Sequence, residues 1–223
     1  MNLPDTWPAF IAELQQDILP IYLRHEQTFD PWSVHGRLHI CRALIFAEFM
    51  LRHYHQQTSL RPDARAVRYA VAFHDSGRQA GGEDYWEGDS ANLCRQYLQG
   101  RGVEDAAAIG DLIPKHGQGG WPLEKRIVHD ADVLEIMRPC CGHGGRSGFS
   151  ARYLRFQGER DEPTVRDPDL RAALIEEAWT FIQVSEERKW EWADSARYLQ
   201  DVLGVLAGMA AACPLLNQIL TSD

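Results

Sequence analysis

With 223 residues, 44% hydrophobic and 25% charged, the chain has the makeup of a globular protein with material for one ample core. Its formal net charge of −9 at pH 7 argues against a long polyanionic partner, because duplex binding needs a basic face for phosphate contacts. A small phosphorylated molecule stays compatible, since a few local arginines suffice to hold it, and no apolar stretch approaches the roughly 20 residues that span a bilayer.

The segment Met1 to Phe10 has no basic region leading into an apolar one. Five cysteines (Cys41, Cys94, Cys140, Cys141, Cys213) are odd in number and form no CxxC pair. That usage suits a reducing compartment and no disulfide framework, so the expected location is cytoplasmic.

Helical periodicity dominates, which predicts an all-α fold, read as a single helical domain over residues 1–223. A first helix is expected from Pro8 to Glu26, with Asp30-Pro31 closing the loop after it. A second spans Ser33 to Gln56, and a third Pro62 to Ser76 with proline in its first turn. Gly77 and Gly81-Gly82 then break the chain. A fourth helix covers Gly88 to Gln99 and a fifth Glu104 to His116; a turn leads into a sixth that ends near Met137. Residues 138–148 read as an irregular glycine- and cysteine-rich loop. Two long helices, Asp167 to Glu187 and Lys189 to Ala212, pack on the preceding core.

Polar groups stand where core residues belong. In the third helix Val67, Ala70, Val71 and His74 fall at i, i+3, i+4 and i+7, with Asp75 beside the histidine. Ile109, Leu112, Ile113 and His116 repeat that spacing, and His39 heads a stripe through Ala43, Phe46 and Met50. Asp132 lies one turn after Val128. Burying an imidazole or carboxylate without a partner costs a few kcal/mol, so such groups find hydrogen bonds or a metal. One such histidine is ordinarily a satisfied core residue; four helices each sending a polar group inward point to a site. Imidazole and carboxylate together are a ligand set for Mn, Fe, Co, Ni or Zn.

In the order His39, His74-Asp75, His116, Asp132, the chain resembles the HD-domain superfamily of metal-dependent phosphohydrolases over residues 30–140. The contexts that carry the likeness are His39-Ile40-Cys41-Arg42, Ala72-Phe73-His74-Asp75-Ser76-Gly77-Arg78, Ile113-Pro114-Lys115-His116 and Asp130-Ala131-Asp132-Val133-Leu134. The resemblance implies one divalent metal ion (Mn, Fe, Co, Ni, Zn or Mg) held by His39, His74, Asp75 and Asp132. Asp130 competes for the last position and His35 for the first. It also implies hydrolysis of a small phosphorylated substrate such as a nucleotide or phosphodiester. Asp75 is placed to serve as base, and His116, Lys115, Arg42 and Arg78 lie near the ligands as phosphate contacts.

Two stretches depart from that pattern. One is His35-Gly36-Arg37-Leu38-His39-Ile40-Cys41-Arg42, with a histidine before the expected one; the other is the acidic, aromatic run from Gly82 to Asn92. An HGxxHxxR start followed by an acidic residue is similar to the phosphodiesterase domain of bacterial effectors that handle phosphoribosyl-ubiquitin. That likeness implies a metal-independent phosphodiesterase using His39 or His35, Glu87 and His116. Arg146, in the glycine-rich loop, is a candidate substrate contact, and the same loop read plainly is a connector. A third possibility is a catalytically silent nucleotide-binding module on the same scaffold.

Overall fold

Thr6 starts the first helix: its side chain accepts a hydrogen bond from the Ala9 amide at 3.4 Å, and Pro8 occupies the first turn, where a missing N–H costs nothing. The structure, a computed structural model, describes residues 6–30, 35–57, 59–80, 85–115 and 120–140. These form helices α1 (Trp7–Glu13), α2 (Leu23–Thr28), α3 (Arg37–Gln57), α4 (Ala64–Phe73), α5 (Glu87–Gly100), α6 (Ala106–Gly110) and α7 (Leu123–Cys140). Among the described residues there is no strand, so the fold is all-α. Arg138 to Cys140, expected to begin a loop, continue α7; the rest of that loop and the expected helices after it lie outside the described residues.

The single helix expected from Pro8 to Glu26 is interrupted. A π turn, Leu14–Ile18, and a 3-10 turn, Leu19–Tyr22, separate α1 from α2. The cause is Pro20, whose nitrogen cannot bond the carbonyl four residues back and whose ring crowds it. The apolar side chains of this stretch (Leu14, Ile18, Leu19, Tyr22) stay buried nonetheless.

α3 begins at Arg37 rather than at Ser33, because Glu26 of α2 supplies the cap. Its carboxylate accepts from the Arg37 amide at 2.6 Å and from Arg37 Nε at 2.7 Å. Asp30 accepts from the His35 amide at 2.8 Å. Two acids thus satisfy donors just ahead of the helix, where orphan N–H groups and the positive dipole end favour negative charge.

Asp63 caps α4 by accepting from the amides of Arg65 and Ala66 at 2.9 and 3.1 Å. From Tyr69 to Phe73 every side chain is buried. A helix apolar all round belongs in the centre, and α4 packs on α3, α5, α6 and α7 together. It ends at Phe73, three residues before the expected Ser76, and His74–Gly77 form a turn closed by Ser76 N–H to the Phe73 carbonyl.

The helix expected through His116 is cut to Ala106–Gly110. Pro114 cannot donate to Gly110, and the residue before a proline avoids helical backbone, so the Gly110 carbonyl takes the Ile113 amide instead, at 3.2 Å. Between α3 and α4, buried Glu48 accepts from Arg68 Nε and Nη2 at 2.9 and 2.8 Å. This two-point pairing locks the two helices that carry His39 and the His74-Asp75 doublet.

Candidate functional site

Helix ends leave their last carbonyls without partners, and the end of α4 shows how these are met. Tyr22 Oη donates to the Ala72 carbonyl at 2.7 Å, and His74 Nδ1 donates to the Val71 carbonyl at 2.7 Å. The second bond sets the function of the imidazole. With its proton on Nδ1, neutral His74 presents the Nε2 lone pair away from the helix.

What Nε2 meets is a cluster drawn from three helices. His39 Nε2, from α3, stands 2.9 Å away. Asp132 Oδ1, from α7, is 3.3 Å from His39 Nε2 and 3.5 Å from His74 Nε2. Asp75 Oδ2 is 3.5 and 3.7 Å from the same two nitrogens. All four residues are buried, His39 completely. The ligand-type atoms of His39, His74 and Asp132 lie within 4.8 Å of one another, and these three residues form a group able to hold a metal ion. Ligands on neighbouring positions around an ion bonded at about 2.0–2.1 Å stand close to 3 Å apart, so the spacing of the imidazole nitrogens suits joint ligation.

Of the two competing aspartates, Asp132 reaches the cluster, while Asp130 Oδ1 is 3.7 Å from His129 Nδ1. Of the two histidines ahead of α3's first turn and within it, His39 occupies the centre. His35 stands on the outer side of Asp75, its Nδ1 3.1 Å from Asp75 Oδ2 and its side chain 27% exposed. Lys115 Nζ lies 3.2 Å from Asp132 Oδ2 and 3.5 Å from Glu87 Oε1, and its backbone amide donates to Glu87 Oε2 at 2.7 Å. Glu87, the first residue of α5, therefore fixes the segment that carries Lys115.

Arg78 Nε is 3.8 Å from Asp75 Oδ1. Arg42 is 1% exposed, inside the helix packing. His116 and Arg146 lie outside the described residues.

The charges are mutually supporting. Burial works against ionisation of both aspartates but is outweighed. His74, His35 and His39 hold Asp75 below the usual carboxylate range, and His74, His39 and Lys115 hold Asp132 well below it. Burial also works against an imidazolium at His74, yet Asp75 and Asp132 raise its pKa above the ordinary value. Cys41 and Cys94 are free and buried, and burial pushes both thiols up to about 12, which removes them as nucleophiles.

Linkage gives the sign of a pH effect. A raised His74 pKa contributes stability that is full below the unfolded value, about 6.5, and is lost as pH rises through the folded value. The lowered aspartates contribute above their unfolded values and lose that only as pH falls through the folded ones. With chelator present, the melting temperature is therefore expected to fall as pH rises above about 6.5, and to fall less in His74→Asn. Differential scanning fluorimetry checks this; equal slopes in the two proteins would remove His74 as the titrating group.

A small cavity opens beside the cluster, lined by His74, Lys115, Trp121, Lys125, His129 and Asp132 over an apolar base. The Trp121 and His129 rings meet edge-on at 5.3 Å between centroids, and Lys125 Nζ is 5.4 Å from the Trp121 ring. Trp121, Lys125 and His129 were not among the candidate site residues in the sequence. The available signal was the i, i+3 spacing of His129 and Asp132 on one helix.

Fold and site together define a helical protein with a buried centre of two histidines and two aspartates. The family model for the SidE phosphodiesterase (PDE) domain matches residues 20–189, more than half of the chain, and the chain belongs to that family. Membership indicates a phosphodiesterase enzyme. No curated protein and no solved structure gives a significant match.

Proposed function

We propose that the protein is a metal-dependent phosphodiesterase on an HD-type scaffold, acting on a small phosphorylated substrate. One divalent ion would be held by His39, His74, Asp75 and Asp132. The observation that carries this reading is the approach of two buried imidazole Nε2 atoms to 2.9 Å, flanked by two carboxylates. Two lone pairs so placed need a cation or a shared proton between them. The order in which the residues occur along the chain supports the HD-type scaffold.

Polarisation of a phosphoryl oxygen and activation of water are the chemistry such an ion supplies when bound. The chain's own groups do the rest. Lys115 Nζ, 32% exposed at its side chain and held by Glu87 and Asp132, offers positive charge at the mouth of the small cavity. Trp121 and His129 form the aromatic wall of that cavity, beside the reacting centre. Asp75 keeps a carboxylate beside the reacting centre, where it can accept the proton released from the attacking water.

A second reading rests on a different contact. His35 Nδ1 lies 3.1 Å from Asp75 Oδ2, an aspartate-oriented imidazole whose ring remains partly exposed. In a metal-independent phosphodiesterase this pair would provide the base or nucleophile, with Glu87 and His116 assisting. A chelation and add-back assay on bis-p-nitrophenyl phosphate separates the two. The metal-dependent reading expects activity to vanish with chelator and return with a divalent ion. Activity that survives complete removal, and is lost in His35→Ala, would transfer the assignment to the His35–Asp75 pair. Tight nucleotide binding without turnover of any phosphodiester would leave only a binding module.

A further inference from the structure

From the last residue of the 3-10 turn to just past α2, the chain carries a polar group at every fourth position: Tyr22, Glu26 and Asp30. All three are buried, at 1%, 8% and 7% exposure. The four-residue spacing keeps Tyr22 and Glu26 on one side of the helical run. Asp30 follows them because its amide folds back onto the His25 carbonyl at 3.2 Å.

Each of the three reaches out of its own segment to a backbone group beside a site residue. Tyr22 Oη donates to the Ala72 carbonyl at 2.7 Å, three positions ahead of Asp75, and the Asp75 amide faces the same hydroxyl. Burial and the Asp75 charge hold this phenol well above its ordinary pKa, so it remains a donor. Glu26 accepts from the amide of Arg37, midway between His35 and His39, at 2.6 Å. Asp30 accepts from the His35 amide itself at 2.8 Å. Where the two gripped segments meet, His35 Nδ1 stands 3.1 Å from Asp75 Oδ2, and His39 Nε2 stands 3.5 Å from the same oxygen. One short stretch of chain therefore holds both partners of these contacts, Asp75 through its first residue and the histidines through the other two.

Apolar side chains would fill the same three places without the cost of burying a hydroxyl and two carboxylates. What the polar groups add is direction, since a hydrogen bond fixes a separation that apolar contact lets slide. Reacting groups are sensitive on that scale: a misplacement of about 1 Å can cost about a hundredfold in rate.

We propose that Tyr22, Glu26 and Asp30 are positioning residues of the phosphodiester reaction, which together set the separation of Asp75 from His35 and His39. The proposal rests on the reading of that centre as the seat of phosphodiester cleavage. It holds with or without a metal ion, because Asp75 and a histidine act in both cases. All three residues work through backbone groups of the segments they hold.

Two readouts on the full chain test this. One is kcat and KM on bis-p-nitrophenyl phosphate, taken well below the lowest melting temperature of the set. The other is the NMR signal of the His35 imidazole at fixed pH, assigned with His35→Gln. Tyr22→Phe and Asp30→Ala should each lower kcat by about tenfold or more, with KM within about twofold of the parent. Asp30→Asn keeps an acceptor for the His35 amide and should recover most of the loss. Tyr22→Phe should also displace the His35 signal, although the hydroxyl it removes bonds to the end of α4 and not to His35. The double variant Tyr22→Phe/Asp30→Ala should lose less than the product of the single losses, because release of either end already frees the separation. Asp63→Ala, which uncaps the opposite end of α4, should lower the melting temperature and leave kcat unchanged. Parental kcat in folded Tyr22→Phe and Asp30→Ala, or single losses that multiply in the double variant, overturns the assignment. An inactive parent would remove the phosphodiesterase reading instead, and the His35 signal then decides. Displaced in Tyr22→Phe, it upholds the brace; unmoved, it overturns it.

Discussion

Replacing His74 with alanine is expected to lower phosphodiester turnover by about a thousandfold or more and to abolish retention of a divalent ion. The size of the effect follows from what the ring does twice. Its Nδ1 satisfies the Val71 carbonyl at the end of α4, and its Nε2 faces His39 at 2.9 Å. Alanine removes both, leaving a buried orphan carbonyl and two aspartates with one imidazole fewer to neutralise them. The first loss weakens the fold by about 1–3 kcal/mol, and the second raises the pKa of Asp75 and Asp132, for both of which His74 is the largest opposing influence after burial. Elemental analysis of freshly purified protein, with the bis-p-nitrophenyl phosphate assay, measures the two outcomes separately. Asp132→Asn isolates the second: it keeps shape and the α4 end intact, so a loss of metal and activity is expected, with the melting temperature lowered only by the share that the ionised carboxylate contributes. A variant at either position that keeps normal turnover would remove these residues from the centre.

How much of this was open to a reader of the sequence depends on which force set each feature. The convergence of His39, His74, Asp75 and Asp132 was legible because the helical period puts each on an inward face, where burial of a polar group demands a reason. The choice of Asp132 over Asp130 followed from the family pattern, and the geometry separates them by a full change of partner, the imidazole cluster against His129. Prolines were the main source of error. Pro20 and Pro114 sit inside otherwise convincing periodic runs, and the apolar pattern survives them while the backbone hydrogen bonds do not. The start of α3 was hidden for another reason: its cap comes from Glu26, eleven residues earlier, so no local cap signal marks Arg37. Arg42 lies three residues after a site histidine, on the same helix face, and is as deeply buried as that histidine. Trp121 reaches the cavity from just ahead of α7, a placement that only tertiary packing decides, whereas Lys125, His129 and Asp132 share one face of α7.

Gly77→Ala is expected to be the most damaging substitution of a residue that touches no ligand-type atom. The glycine follows the doublet by two positions, and its Cα faces the start of α5. A Cβ built there would stand 2.4 Å from the Ser90 amide nitrogen and 2.7 Å from Asp89 C and Cβ, inside the contact limit of backbone atoms that cannot swing aside. The Gly77 amide also donates to Ser90 Oγ at 2.9 Å, in a spot where Ser90 is wholly buried. A methyl group must therefore push the turn away from α5, breaking that bond and opening the packing, at a cost of about 3 kcal/mol or more from overpacking plus an unmet buried donor. The displacement has only one way to go. The turn is tethered on its other side through Asp75, so movement of Gly77 drags the carboxylate away from His35, His39 and Arg78 at once. Stability and turnover should consequently fall together, with urea denaturation giving the first and the phosphodiester assay the second. Gly88→Ala is the control on α5, the helix that Gly77 faces, because a Cβ at that position meets nothing within 4 Å. Its stability is expected to hold or to rise by about 0.4–1 kcal/mol as the unfolded chain loses freedom. Equal stability of the two variants would mean that contact between the doublet turn and α5 does not position Asp75.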